Sequence, residues 1–197
     1  MLRKKELEEK QVSLEKLGEQ FLLLMDKNSK RAGLAETPKR FAKYWMELLE
    51  GQFYSNKEIA KMFGKTFEEC ENSGLVVETN IPIFSTCEHH LALMYDMRVS
   101  IAYLPHGKII GISKMARIAE LVGKRLQLQE RIGNDIREIM EMILGTNDIA
   151  VVIRGKHSCM TARGIKSRES IIKTASMGGK FLKESGIRDE LYQILKI

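Results

Sequence analysis

The chain has 197 residues, 44% of them apolar and 29% charged, with a formal net charge of +6. That apolar share over that length supports one compact domain with a core of its own. No stretch approaches the ~20 consecutive apolar residues needed to cross a bilayer, and the segment Met1 to Lys10 lacks the apolar centre of a secretory signal. With three cysteines, an odd number, the reading is a reduced, cytoplasmic protein whose thiols serve a metal or catalysis rather than disulfides. The positive balance favours an anionic partner without choosing between a nucleic acid, a nucleotide and a merely soluble surface.

In chain order, apolar residues from Arg3 to about Asn28 recur at helical spacing (Leu14, Leu17, Phe21, Leu22, Leu24, Met25) and predict an amphipathic helix. A second helix is expected from Thr37-Pro38, with Thr37 as N-cap, Pro38 in the first turn, and Phe41, Trp45, Leu48 and Leu49 as its apolar stripe. A short third helix is expected around Lys57 to Phe63. Residues 75–84 and 97–104 are rich in β-branched and aromatic side chains and predict two strands, with the polar knot 85–90 between them. A turn at 105–108 precedes two helices, about Lys114 to Gly123 and about Gln129 to Leu144. Strands are expected at 149–153 and 164–176, and Gly178-Gly179 introduces a helical C-terminus. This order predicts an α+β domain whose helices cover one face of an antiparallel sheet.

Cys87 and His90 stand three apart in the polar knot, and His157 and Cys159 stand two apart at the end of an apolar run. Alternation along a strand would point His157 and Cys159 to the same side. If the two segments meet, Cys87, His90 and Cys159 offer two thiolates and one imidazole, a set that suits Zn²⁺ and leaves a fourth position for water. His89 and His157 would then remain beside the metal as groups for proton transfer. Spacing by itself does not separate this catalytic zinc from a closed structural one. Cys70 has no partner nearby and reads as an isolated thiol.

Residues 111–117 open a helix at which Ser113, expected at its cap, Lys114 and Arg117 would gather with free backbone N–H groups around a phosphate. Further cations for a polyanion are Arg163, just after the His157/Cys159 pair, and Arg40 with Lys43, three apart on the helix after Pro38. Glu130, at the start of the longer helix, has a carboxylate suited to the two N–H donors of a guanine edge; a favourable helix dipole alone also accounts for a Glu there.

Taken together, the segments 87–90 (Cys-Glu-His-His), 111–117, 127–131 (Gln-Leu-Gln-Glu-Arg) and 157–164, in that order, resemble the successive signatures of GTP cyclohydrolase I. The likeness covers about Glu36 to Phe181 and is tightest from Phe84 to Gly164. It implies the tunnelling fold, with subunit sheets joined into a barrel and two pentamers stacked as a homodecamer. The expected helices up to Phe63 and the strand-rich stretches after them divide the chain into an N-terminal helical region at 1–65 and a catalytic domain at 66–197, and the resemblance implies an active site lying between subunits. Carried over, it makes Cys87, His90 and Cys159 the ligands of Zn²⁺ and His89 and His157 the catalytic proton-transfer pair. Glu130, helped by Gln129, would hold guanine, while Ser113, Lys114, Arg117, Arg163, Arg40 and Lys43 would hold the triphosphate. The implied reaction opens the imidazole ring of GTP, releases formate and forms 7,8-dihydroneopterin triphosphate, as the first step of folate or pterin synthesis, with no part for nucleic acid or membrane.

The chain departs from the family pattern at 91–98, where a shorter connection with a Gly-Lys pair is usual, and at 166–173; residues 1 to about 30 carry no match. A zinc nucleobase deaminase needs a His-x-Glu and a Pro-Cys-x-x-Cys segment, and neither is present. A structural-zinc nucleic-acid binder would use the basic charge. Another pterin-handling enzyme of the same fold would carry a different ligand set.

Overall fold

The computed structural model describes residues 2–68 and 74–196, with side chains from residue 5 onward; Cys70 lies outside the described residues. The chain divides into two compact units, Met1–Glu50 and Gly51–Ile197.

In the first unit, α1 (Leu2–Met25) and α2 (Thr37–Leu48) pack where α1 has no side chain to hold them apart. A Cβ at Gly18 would come within 3.0 Å of the Phe41 ring, which stacks on Phe21 at 6.5 Å. Pro38 sits in the first turn of α2 as expected, but Thr37 is already helical, and the capping position falls on Glu36 with no side-chain cap. Much of the apolar stripe read along α1 stays exposed, including Leu24 at 84%.

The second unit begins with α3 (Asn56–Phe63), started by a reciprocal capping box between Ser55 and Glu58. Then come β1 (Thr66–Glu68), β2 (Val76–Cys87), β3 (Ala92–Tyr103), β4 (Lys108–Ile110), α4 (Ile112–Gly123), β5 (Leu126–Gln127) and α5 (Gln129–Leu144). After these follow β6 (Ile149–His157), α6 (Ser158–Thr161), β7 (Ile172–Met177), α7 (Gly179–Lys183) and α8 (Ser185–Leu195). The main sheet has the order β5-β2-β3-β6-β7, and β1 pairs with β4 in a separate ribbon. Every pairing in the main sheet is antiparallel except the short β2–β5 contact.

The hairpin strands run on through the polar knot, to Cys87 and from Ala92, so the connection shrinks to residues 88–91. Paired β-ladder hydrogen bonds and the burial of Ser85 and Thr86 offset the polar character that suggested a loop. The last strand starts at Ile172 rather than 164. Bulges explain why alternation along the hairpin is irregular. Asn80 (φ 59) and Asp96 (φ 51) adopt left-handed backbone, which Asn and Asp tolerate. Each adds a residue, so Met94 and Met97 both reach the core although their spacing is odd. Pro82 is accommodated because β5 pairs only with Thr86 and Cys87, leaving β2 as an outer strand at that point.

Helices occupy both faces of the sheet rather than one. Met97, Val99, Ile101 and Tyr103 of β3 join Val151 and Ile153 of β6 in the main core beneath α4 and α5. Ala102 and Ala150, of opposite parity, form a second cluster with Phe181 and Leu191 of the C-terminal helices. A Cβ on Gly123 would lie 2.8 Å from the Phe84 carbonyl, so this glycine lets the end of α4 touch β2.

Candidate active site

The β2–β3 turn and the end of β6 meet because Met94 pairs with His157 and Cys87 with Ala92. Cys87, buried at the end of β2, His90 in the turn and Cys159 offer ligand atoms that all lie within 4.8 Å of one another. Cys159 reaches this point from the helical turn α6, not along a strand as alternation suggested. The turn is braced on two sides. Glu88 accepts bidentate hydrogen bonds from Arg131 at 2.6 and 3.2 Å, and its backbone N–H donates to the Gln127 carbonyl at 3.1 Å. Tyr95 donates its hydroxyl to Thr161 at 3.1 Å and so ties α6 to β3.

The donor set fits a divalent metal ion. Burial and the adjacent Cys87 push the Cys159 thiol up from its ordinary value, and a cation held between the two sulfurs would reverse that cost. Arg163 lies 2.9 Å from His90 Nε2, which puts the expected phosphate ligand against the cluster. His89 is exposed in the turn, its ring centroid 6.4 Å from that of His90 in edge-to-face contact.

His157 is half-buried beside this cluster, and its Nε2 lies 2.9 Å from Gln129 Oε1. Gln129 is 1% exposed, and its NH₂ donates to the carbonyls of Ile153 (3.3 Å) and Ile172 (3.1 Å) and to Thr174 Oγ1 (3.2 Å). These donors fix the amide, so its oxygen faces His157 and accepts the Nε2 proton, leaving Nδ1 free. Gln129 thus contacts the site through His157. Neither spacing nor residue type announced this link, although Gln129 lies inside a quoted motif. Burial holds His157 below the ordinary histidine value, with the Glu130 carboxylate partly opposing it. Glu130 itself is exposed in the first turn of α5 and makes no ion pair among the described residues.

The remaining expected contacts lie elsewhere. Gly111, not Ser113, occupies the capping position of α4, and Ser113 is exposed one residue inside it. Lys114 Nζ sits 5.9 Å from the centroid of the Phe63 ring, and Arg117 is exposed. The C-terminal end of α4 rests on Phe84. Its N-terminal end follows Ile110, whose N–H donates to Tyr103 Oη at 3.3 Å, and Tyr103 is at the end of the hairpin remote from Cys87. Helix rise and strand rise together put Ser113 on the order of 20 Å from the metal cluster of its own chain. Arg40 and Lys43 are exposed on α2 of the first unit.

A mixed α+β chain that presents two thiols and an imidazole to one point, with an anchored histidine alongside, has the makings of a metal-assisted hydrolytic enzyme. The family model described as GTP cyclohydrolase I matches residues 14–196. The match therefore reaches into α1 and past Phe181, further than the motifs alone indicated. Among curated relatives, GTP cyclohydrolase 1 of Clostridium botulinum (strain Loch Maree / Type A3) is 53% identical over 178 residues, covering 88% of this chain and 91% of its own. The protein of the same name from Clostridium acetobutylicum is 49% identical over 179 residues, covering 89% and 92%. The one from Clostridium beijerinckii is 46% identical over 182 residues, covering 90% and 92%. The chain belongs to the GTP cyclohydrolase I family and is an enzyme of that family. Among the described residues no helix is long and apolar enough to cross a membrane.

Proposed function

We propose that this chain binds Zn²⁺ through Cys87, His90 and Cys159 and hydrolyses GTP, opening the guanine imidazole ring to release formate and leave 7,8-dihydroneopterin triphosphate. The observation that carries the reading is the convergence of the three ligand atoms within 4.8 Å beside a His157 held by Gln129 at 2.9 Å. When bound, zinc supplies a Lewis acid that makes water acidic enough to attack at neutral pH.

The chain's own residues do the rest. Glu130 accepts two N–H donors from the guanine edge and thereby presents the imidazole ring to the cluster. Gln129 supports that pocket from beneath by holding His157. His157, which burial holds below the ordinary histidine value, takes and returns protons through its free Nδ1, and His89 is its partner in proton transfer. Ser113, Lys114, Arg117, Arg163, Arg40 and Lys43 hold the triphosphate.

The span on the order of 20 Å between Ser113 and the metal cluster of one chain supports an active site assembled from neighbouring subunits. The outer edge of β7 and the partly unpaired edge of β2 suit sheets joined edge to edge into a barrel. The reading includes the homodecamer of two pentamers, a catalytic domain at 66–197 preceded by a helical region at 1–65, a place in folate or pterin synthesis, and a cytoplasmic location.

The test is to incubate the purified protein with GTP and follow formate and the pterin chromophore. Both are expected, and both should vanish on chelation and in Cys159→Ser, which should also hold well under one zinc per chain. A fully loaded, fully active Cys159→Ser protein would remove the ligand assignment.

A further inference from the structure

On the face of the sheet turned away from α4 and α5, a cleft of about 300 Å³ lies between the strands and the end of α8. Its floor carries an unusual row. Arg98 of β3 stands directly opposite Arg154 of β6, and Arg154 directly opposite Lys173 of β7. Neighbouring strands are about 4.8 Å apart, so three cations stand side by side across roughly 10 Å. Lys196, just past α8, adds a fourth at the rim. Like charges directly opposed across strands destabilise a sheet.

Among the described residues no acid compensates them. Arg98 donates to the Met97 carbonyl at 3.0 Å, and none of the four cations pairs with a carboxylate among the described residues. Among the described residues no Asp or Glu lines the cleft; its remaining polar lining includes Asn80 and Ser100, which are neutral hydrogen-bonding groups. The C-terminal end of α8 brings about half a negative charge, which offsets only a fraction of four positive ones. An ordinary solvated charge needs none of this: surface cations are usually interspersed with acids, and these are aligned, concave and unmixed.

His157 shares the parity of Ile153, on the face beneath α4 and α5, whereas Arg154 has the opposite parity. The row therefore cannot serve the metal cluster of its own chain by side-chain reach through the sheet. We propose that this cleft is a second anion site that takes a phosphate chain, as a di- or triphosphate group, distinct from the candidate substrate site. Its volume suits a small polyanion, and the two adjacent arginines, Arg98 and Arg154, offer planar forks for phosphate oxygens.

The experiment uses the full-length protein and compares thermal melting with and without inorganic tripolyphosphate or ATP, in parent and Arg154→Ala/Lys173→Ala. Tripolyphosphate at a hundred times its Kd should raise the melting temperature of the parent by several degrees. The double variant, freed of like-charge repulsion, should melt at or above the parent without anion, keep its turnover of GTP, and lose most of that rise. A response to both ligands assigns a bare phosphate chain as sufficient, and a response to ATP alone assigns a nucleotide as its source. An equal rise in the double variant, or none in the parent with either ligand, overturns the site. Titration calorimetry on the same pair should show one fewer binding event per chain in the variant, and equal stoichiometry would overturn the proposal even if the variant were less stable.

Discussion

Gln129 Oε1 and His157 Nε2 stand 2.9 Å apart, and the other end of the same amide is spent on the β6 and β7 backbones and on Thr174. A buried side chain thus sets the tautomer of a half-buried histidine. Gln129→Leu removes the acceptor and strands those partners, so stability should fall by about 1 to 3 kcal/mol. Turnover should fall further than the loss of folded protein explains, with GTP still bound. Zinc content, GTP affinity and turnover measured on the folded fraction check this; an unchanged turnover per folded chain would leave Gln129 with a purely structural part.

His157→Ala and His89→Ala should each retain zinc and bind GTP while the chemical step slows by roughly 10²- to 10⁴-fold, the usual cost of losing a general acid or base. Zinc analysis beside single-turnover rates decides the matter. Zinc lost in step with rate would make that histidine a ligand.

Glu130 is exposed and unpaired among the described residues, so its carboxylate is free to meet a base edge. Glu130→Ala should lose on the order of 2 to 4 kcal/mol of discrimination between GTP and its adenine counterpart. Competition of the two nucleotides for the variant measures it; parent-like selectivity would put the guanine contact elsewhere.

If one active site draws on two subunits, Arg117→Ala and Cys159→Ser chains, each inactive alone, should regain part of the activity when refolded together. Native mass spectrometry establishes that hybrids formed. Hybrids without activity would place Arg117 outside the site or within its own chain's site.

Asp148 offers a test on stability alone. Burial raises its carboxyl, but the Lys180 amide at 2.7 Å and His106 at 2.8 Å outweigh burial and hold it below its ordinary value. A depressed folded value means the stabilisation is full above the unfolded pKa of about 3.9 and is lost as pH falls through the folded value. Asp148→Asn should therefore cost about 1 to 3 kcal/mol near neutral pH, with the gap to the parent closing below about pH 4. A gap independent of pH, seen in melting curves, would contradict the charged contact.

Features that depend on near neighbours along the chain are legible in the order of residues. Helical periodicity placed α4 and α5 to within two residues at either end, and residue type with short spacing singled out the pairs Cys87/His90 and His157/Cys159, which the family resemblance joined into the ligand set Cys87, His90 and Cys159. Strand limits were less legible: Ser85 and Thr86 look like loop residues until β3 and β5 pair with them, and the bulges at Asn80 and Asp96 break the alternation that would have revealed the faces. Tertiary structure alone decided the relations between segments far apart in the chain. Residues 28 apart meet in the Gln129–His157 contact. Strand register sets Arg98, Arg154 and Lys173 in one row, and the lie of α4 on β2 carries Ser113 away from the metal cluster. Register and helix placement are properties of packing, settled by which faces exclude water together, and no local spacing encodes them.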